Sequence, residues 1–277
     1  MLIHDHFQHT DVHAFRFGYH PLGKPTMFVH CFLVDGLLID TGQSQARQAI
    51  LDTLSQQPVE QIYITHHHED HTGNLPQLRA HFGCPTYSSA RCAEMMQAPP
   101  RISLAQKLVW GERPPDHDLT PIEGVLETNN HRFELIPIPG HAEDMVALYE
   151  PDRGWLFSAD LYVHHRIKYF MASESMLGQI ESLKRVLALD FEVLFCAHNP
   201  QLEGGKDKVR QKLAFFEDFY GQVGQLNEQG YGPKAIFRQM ELDEKWFTRI
   251  LSGGHLSGLN MVRAAVRDLT STNTTPA

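Results

Sequence analysis

Four potential metal ligands fall within six consecutive positions of the chain: His66, His68, Asp70 and His71. They follow a short β-branched and aromatic run at 61–64, which predicts a buried strand that ends where the polar residues begin. Side chains alternate along an extended backbone, so His66 and His68 point to the same side. The chain then turns towards a helix, which aims Asp70 and His71 at a second point nearby. Imidazole and carboxylate groups suit zinc, iron or manganese, and the spacing predicts two metal ions.

The pattern His-x-His-x-Asp-His resembles the signature of the metallo-β-lactamase-fold hydrolases. In that superfamily a later His, an Asp and a last His, each at the end of a strand, complete the ligand set. This sequence has a candidate for each after an apolar run, namely His141, Asp160 and His198. The superfamily's early Asp at a turn is matched by Asp40. His198 departs from the family pattern, because it follows Cys-Ala and precedes Asn-Pro where a glycine is more usual.

The resemblance implies that each ion takes three ligands of its own and that one carboxylate bridges both. The first set is His66, His68 and His141; the second set is Asp70, His71 and His198; the bridge is Asp160. Asp40 would lie behind the ligands and orient a histidine or the turn. His67 and Glu69 stand at variable positions, and we expect them to point away from the metals.

The same resemblance implies the fold. Strand runs and helices alternate, which by itself indicates an α/β protein, and the resemblance specifies a four-layer αβ/βα sandwich. We predict a catalytic domain over residues 1–200 and a helical extension over 201–277, as in thioesterase-like and lactonase-like members. Helices are predicted at 206–229, 233–241, 243–251 and 256–269. The extension would either cap the substrate pocket or form a homodimer surface.

Local signals predict several further elements. Asp35-Gly36 marks a two-residue hairpin between strands at 28–34 and 37–39, and Ser44 is placed to cap a helix at 44–55. Residues 1–11 are predicted to be a solvated segment, with a surface metal site on its histidines as the alternative. The proline-rich passage at 98–121 is predicted to be a mobile excursion over the mouth of the active site, or else an inert surface connection.

Composition limits the partners. The chain has 277 residues with 24 basic and 33 acidic side chains, a net charge of −9, so we expect no nucleic-acid substrate. The four cysteines are too few and too scattered for a disulfide framework. The sequence shows neither a signal peptide nor an apolar run long enough to span a membrane, so we expect a cytoplasmic protein with no membrane partner.

The expected chemistry is hydrolysis. Two divalent ions that share a carboxylate and a water lower the pKa of that water towards neutrality. The resulting bridging hydroxide would cleave an ester, thioester or lactone bond of a small molecule, with zinc as the assigned metal and iron or manganese as alternatives. Asp70 is counted as a catalytic residue as well as a ligand. Tyr162 and His255, and more weakly Lys168, are candidates for substrate contact, against the alternative that each only packs or caps a helix.

Three other functions fit the same scaffold. A phosphodiesterase or nuclease would use the same ligands, although the sequence lacks a basic exosite. A sulfur dioxygenase-like enzyme would bind one iron with the first set of histidines. A binding protein without catalysis is the third alternative. The number and identity of the bound metals discriminate among these functions.

Overall fold

A computed structural model of the chain describes residues 1–25, 27–243 and 254–272. Fourteen strands are assigned within those residues. They are β1 Leu2–His9, β2 Val12–Tyr19, β3 Val29–Val34, β4 Leu37–Ile39, β5 Gln61–Ile64, β6 Thr86–Ser88, β7 Thr120–Pro121, β8 Val125–Glu127, β9 Arg132–Pro137, β10 Val146–Glu150, β11 Trp155–Ala159, β12 Phe170–Met171, β13 Val193–Cys196 and β14 Leu256–Ser257.

The helices of the described residues flank these strands. They are α1 Arg47–Leu54, preceded by a 3₁₀ turn at Ser44–Ala46, α2 Glu69–Thr72, α3 Leu75–Phe82, α4 Ala90–Gln97, α5 Leu104–Val109, α6 Met176–Leu187, α7 Gly205–Glu228, α8 Pro233–Gln239 and the C-terminal helix Gly258–Thr272. In this part of the chain, no helix has the length and apolar character that crossing a bilayer requires.

Both large sheets are mixed. The first has seven strands in the order β1 to β7, antiparallel from β1 to β4 and parallel from β4 to β7. The second has the order β13-β11-β10-β9-β8, and only β11 and β13 run parallel. The hairpin between β3 and β4 turns at Asp35 and Gly36, whose φ angles are +46° and +79°. Two successive positive φ angles suit a tight hairpin turn, which confirms the Asp-Gly prediction.

Three hydrophobic cores separate four layers. The sheets face each other through a core that includes Phe32 from the first sheet and Phe157 from the second. On its outer face the first sheet packs against α1, α3 and α4, through residues such as Ile50 and Leu78. The second sheet packs against α6 and the helices beyond residue 200, with Phe216 of α7 fully buried. This arrangement is the predicted four-layer αβ/βα sandwich with C-terminal helices.

The helices after residue 200 lie on the second sheet rather than apart from it. α7 and the C-terminal helix contribute side chains to the same core as α6. The observed bounds of α7 and α8 agree with the predicted helices at 206–229 and 233–241, and the C-terminal helix agrees with 256–269. The helix predicted at 243–251 lies almost entirely outside the described residues.

Two local predictions differ from the structure, one in part and one entirely. Residues 2–9 are exposed or half-buried, as a solvated segment would be, but they form an edge strand paired along its whole length with β2. Most residues of β1 are polar and exposed, so its sequence resembles that of a loop. Ser44 does not cap the following helix, because its Oγ accepts a hydrogen bond from the backbone N–H of Glu112 at 2.7 Å.

Candidate metal centre

The predicted ligands lie at strand ends along one edge of the sandwich. β5 ends at Ile64, and the backbone stays extended to His68 (φ −66°, ψ 153°) before α2 begins. His141 follows β9, Asp160 follows β11 and His198 follows β13. These strands are paired within two sheets that pack on a shared core, so residues distant in sequence meet at one place.

Four donor groups form the first cluster: His66, His68, His141 and Asp160. His68 Nδ1 lies 3.0 Å from His66 Nε2 and 3.1 Å from His141 Nε2. His141 Nε2 lies 3.3 Å from Asp160 Oδ2. Donors bound at about 2.1 Å around a tetrahedral ion stand about 3.4 Å apart, so these separations suit a single small cation.

Four donor groups also form the second cluster: Asp70, His71, Asp160 and His198. His198 Nε2 lies 3.2 Å from Asp160 Oδ2 and 3.4 Å from Asp70 Oδ2. His71 Nε2 lies 3.4 Å from Asp160 Oδ1 and 3.8 Å from Asp70 Oδ2. Asp160 belongs to both clusters, as the resemblance implied. The structure therefore brings together all seven predicted ligands.

The residues fit a pair of cations. His71 Nε2 and Asp160 Oδ1 are buried, and neither has a hydrogen-bond partner among the described residues. Buried polar atoms without partners are rare, since each costs about 1–3 kcal/mol. A cation bound between these donors would satisfy both atoms. The donor set of imidazole and carboxylate groups in clusters of four is typical of zinc and also accepts iron or manganese.

Three ligand histidines are oriented by hydrogen bonds from Nδ1, which leaves Nε2 free to bind a metal. His71 donates to Asp40 Oδ2 at 2.7 Å, and His66 donates to Thr65 Oγ1 at 3.1 Å. His198 donates to the carbonyl oxygen of Phe28 at 2.6 Å. Such partners fix the tautomer and the direction of each ring.

Asp40 contacts both a ligand histidine and the backbone before the ligand loop. Besides His71, its carboxylate accepts hydrogen bonds from the backbone N–H of Thr65 at 2.9 Å and from Thr65 Oγ1. Asp40 has a φ of +62°, a conformation that non-glycine residues rarely adopt. Strain of this kind is retained where surrounding contacts fix the backbone, often at functional sites. The prediction that Asp40 orients a ligand histidine is consistent with this geometry.

Glu174 is a supporting residue that sequence reasoning missed. Its Oε2 lies 3.4 Å from Nδ1 of His141, and it also accepts a hydrogen bond from Gln179 at 2.7 Å. Glu174 is buried, although it lies in the turn before α6. The contact of Glu174 with His141 depends on the packing of α6 near the end of β9. No pattern in the sequence indicates that packing.

Electrostatics differ between the two clusters. Burial lowers the pKa of His66 and His68 well below the ordinary value, and neighbouring histidines lower it further. Burial would also lower the pKa of His71 and His198, but nearby carboxylates, Asp160 among them, raise both pKa values well above the ordinary value. In the first cluster, burial opposes but Glu174 and Asp160 raise the pKa of His141 to about 9. Carboxylates therefore favour positive charge at His141, His71 and His198, whereas burial disfavours it at His66 and His68.

His67 and Glu69 point away from the ligands, as expected, but both are anchored. His67 donates its backbone N–H and Nδ1–H to Asp144, each at 2.8 Å. Glu69 accepts a hydrogen bond from Gln106 at 3.0 Å and lies 3.7 Å from Arg113. These buried pairs fix the backbone of the ligand loop between the metal-binding side chains.

The passage after Pro99 contacts the site. Arg113 donates to the carbonyl oxygens of His67 at 2.8 Å and Pro100 at 2.6 Å. The ring of Trp110 lies 5.9 Å from that of His198. Residues 99–113, which we term the cover segment, therefore lie against the ligand loop and one metal ligand. This placement agrees with the predicted excursion over the site; its mobility stays a prediction.

The other candidate residues, Tyr162, His255 and Lys168, belong to neither cluster. Tyr162 has only 2% of its surface exposed and belongs to the core of the second sheet. His255 is exposed, and its carbonyl oxygen accepts a hydrogen bond from Asn260. Lys168 is exposed in the loop before β12. Substrate contact by any of these three side chains stays a prediction.

Comparison with known proteins identifies the family. The sequence profile of the Metallo-beta-lactamase superfamily matches residues 25–198, which span the first through the last of the predicted ligands. The chain belongs to this superfamily. The match covers most of both sheets and ends at His198, so the helices after residue 200 lie beyond it.

Individual similarities are distant. The chain is 25% identical over 236 residues to a hydroxyacylglutathione hydrolase of Idiomarina loihiensis, covering 84% of each protein. It is 23% identical over 181 residues to an atrochrysone carboxyl ACP thioesterase of Aspergillus fumigatus, covering 64% of this chain and 51% of that protein. A β-lactamase domain protein from Burkholderia ambifaria superposes with a TM-score of 0.70 at 16% identity, covering 97% of this chain and 89% of that one, which shows a shared fold.

Proposed function

We propose that this protein is a binuclear metallohydrolase that cleaves a thioester, ester or lactone bond of a small molecule. The observation that carries the proposal is the pair of four-donor clusters that share Asp160. A single shared carboxylate sets the two cation positions close enough to act on one substrate bond. Paired metals of this kind are used for hydrolysis of carbonyl and phosphoryl groups.

The two ligand sets have different roles in the proposed reaction. Bound divalent cations would supply a water of lowered pKa and would polarise a substrate carbonyl. His66, His68 and His141 hold the first position, where burial lowers the pKa of His66 and His68 and so favours their neutral, metal-binding form. Asp160 contributes a carboxylate to both positions. We assign zinc to both, since sets of four imidazole and carboxylate donors are typical of it.

A thioester is the preferred bond within this class. Two relatives of the chain carry names of thioester hydrolases, a hydroxyacylglutathione hydrolase and an ACP thioesterase. We expect the cover segment to add an apolar rim, since Leu104 and Leu108 of α5 are 74% and 50% exposed and Trp110 approaches His198. An apolar acyl group of a small thioester would be compatible with this rim.

The test is a substrate panel on the zinc-loaded protein. We expect hydrolysis of thioesters, with weaker activity on lactones and esters, and little activity on bis-nitrophenyl phosphate. His141→Ala should abolish the activity, whereas His117→Ala, which changes an exposed histidine outside both clusters, should retain it. Inactivity on every carbonyl substrate, or phosphodiester cleavage above thioester cleavage, would overturn the proposal.

A further inference from the structure

A cavity of about 310 Å³, lined by both apolar and ionisable side chains, lies beside the metal centre, and it was not anticipated from the sequence. It opens between the first three strands of the first sheet and the turn that begins at His198. Its volume is at the lower end of the range for small-molecule pockets, enough for a group the size of an amino acid. His198 lines the cavity, while its Nε2 faces Asp70 and Asp160. One imidazole ring therefore separates a group bound in the cavity from the second cluster.

Three ionisable side chains form a row along one wall. Asp5 of β1 is the register partner of Arg16 of β2, which in turn is the partner of His30 of β3. Residues directly opposite on neighbouring strands share a face of the sheet, so the three groups lie side by side. Arg16 Nη2 donates to Asp5 Oδ2 at 2.8 Å, and the guanidinium lies 4.6 Å over the ring of Phe28. All four residues line the cavity.

His30 supplies an acceptor. Only 4% of its surface is exposed, and its Nδ1–H donates to the carbonyl oxygen of Ala197 at 2.8 Å. Burial lowers the pKa of His30 to about 4, so the ring is neutral and its Nε2 carries a lone pair. Among the described residues this Nε2 has no hydrogen-bond partner. Because His30 lines the cavity, this nitrogen could accept a hydrogen bond from an N–H or O–H group of a ligand bound there.

The charges select the ligand. A simple anion would pair with Arg16 but would be repelled by Asp5. A simple cation would pair with Asp5 but would be repelled by Arg16. An apolar group would desolvate the ion pair without replacing its contacts with water. A group that carries both an ammonium and a carboxylate satisfies each side of the pair, and its N–H can also reach an imidazole acceptor.

We propose that this cavity binds a zwitterionic headgroup of the amino-acid type, which forms the polar arm of the substrate. The identification of the arm as part of the substrate rests on the proposed hydrolase function. Binding of the headgroup does not, because it can be measured without turnover. The scissile bond would then lie on the other side of His198, towards the shared carboxylate.

Four small thioether probes that carry different charges test the proposal. They are S-methylcysteine (zwitterionic), N-acetyl-S-methylcysteine (anionic), 2-(methylthio)ethylamine (cationic) and N-[2-(methylthio)ethyl]acetamide (neutral). Each is titrated into the zinc-loaded full chain while amide and imidazole resonances are followed by NMR. We expect the zwitterion to bind about tenfold more tightly than the other three, with shifts at His30 and Arg16.

Variants assign the charges. Asp5→Asn should remove the preference for the zwitterion over the anion, and Arg16→Gln should remove its preference over the cation. Arg132→Gln is the matched control, because Arg132 forms a similarly exposed ion pair with Glu134 on the other sheet, and it should change nothing. Equal affinities for all four probes, or shifts confined to residues 66–71, would overturn the proposal. Binding without thioester hydrolysis would retain the cavity site and reject the proposed reaction.

Discussion

The support that Asp40 gives to His71 yields a sharp prediction for Asp40→Asn. Asparagine keeps the shape of the side chain and can still accept a hydrogen bond from Thr65. Its amide N–H₂ would face the Nδ1–H of His71, which now donates to Asp40 at 2.7 Å. To avoid opposing donors, the ring must accept at Nδ1 and carry its proton on Nε2. A protonated Nε2 has no lone pair for a metal, so the second cluster loses a ligand while the first cluster keeps all of its own.

The magnitude follows from the contact. Loss of a partner behind a metal-ligating histidine weakens metal binding by about 10–100-fold, or about 1.4–2.7 kcal/mol. The lost charge-assisted hydrogen bond should also lower the free energy of unfolding by about 1.5–3 kcal/mol, since both groups are buried. The larger effect should therefore fall on one of the two bound equivalents rather than be shared between them.

Competition titration with a chromophoric zinc chelator resolves the two equivalents. Asp144→Asn is the matched control, because Asp144 is equally buried and holds a histidine at 2.8 Å, but that histidine, His67, is not a ligand. The control should lose stability without weakening the second equivalent more than the first, because His67 lies between two ligands of the first cluster. Equal weakening of both equivalents by Asp40→Asn, or no weakening of either, would refute the reasoning.

Three further changes test other contacts. Burial lowers the pKa of Lys212 from 10.5 to about 8, so the unfolded chain binds more protons than the folded chain between these pH values. The free energy of unfolding of the wild type should therefore rise by up to about 3 kcal/mol relative to Lys212→Met as pH increases through this window. A difference in urea unfolding that does not change with pH would contradict this prediction. Arg113→Met leaves Glu69 buried without its cation and should lower the free energy of unfolding by about 3–5 kcal/mol in the same assay. Adding Glu69→Gln should restore part of this loss, and no restoration would reject the pairing. Gly140 precedes the ligand His141 and has a φ of +140°, and an added Cβ would lie 2.4 Å from the backbone nitrogen of Gln179. Gly140→Ala should therefore weaken binding of the first metal ion about tenfold. Weakening of the second ion alone would argue against this.

Much of the fold and the ligand set could be predicted because their signals are local. The Asp35-Gly36 turn, the strand before His66 and the helix over 205–228 depend on residues adjacent in sequence. The ligands themselves stand in a short motif and at the ends of apolar runs. Family resemblance supplied their assignment to two ions, and the geometry of the two clusters agrees with it.

The residues that support the site could not be found this way. Glu174 contacts His141 across 33 positions, and Lys212 donates to the carbonyl oxygen of Leu161 across 51 positions. Their positions are set by how helices pack on the second sheet, and a single sequence shows no sign of that packing. The edge strand β1 was missed for another reason: its residues are mostly polar and exposed, so hydrophobic alternation is too weak to identify it.

The central claim is that one chain binds two cations through a shared Asp160. Metal analysis after loading with zinc and removal of excess ion tests it most directly. We expect two zinc ions per chain in the wild type and at most one in Asp160→Ala, with the folded state checked by circular dichroism. A single ion in the wild type, or two ions retained without Asp160, would contradict the account.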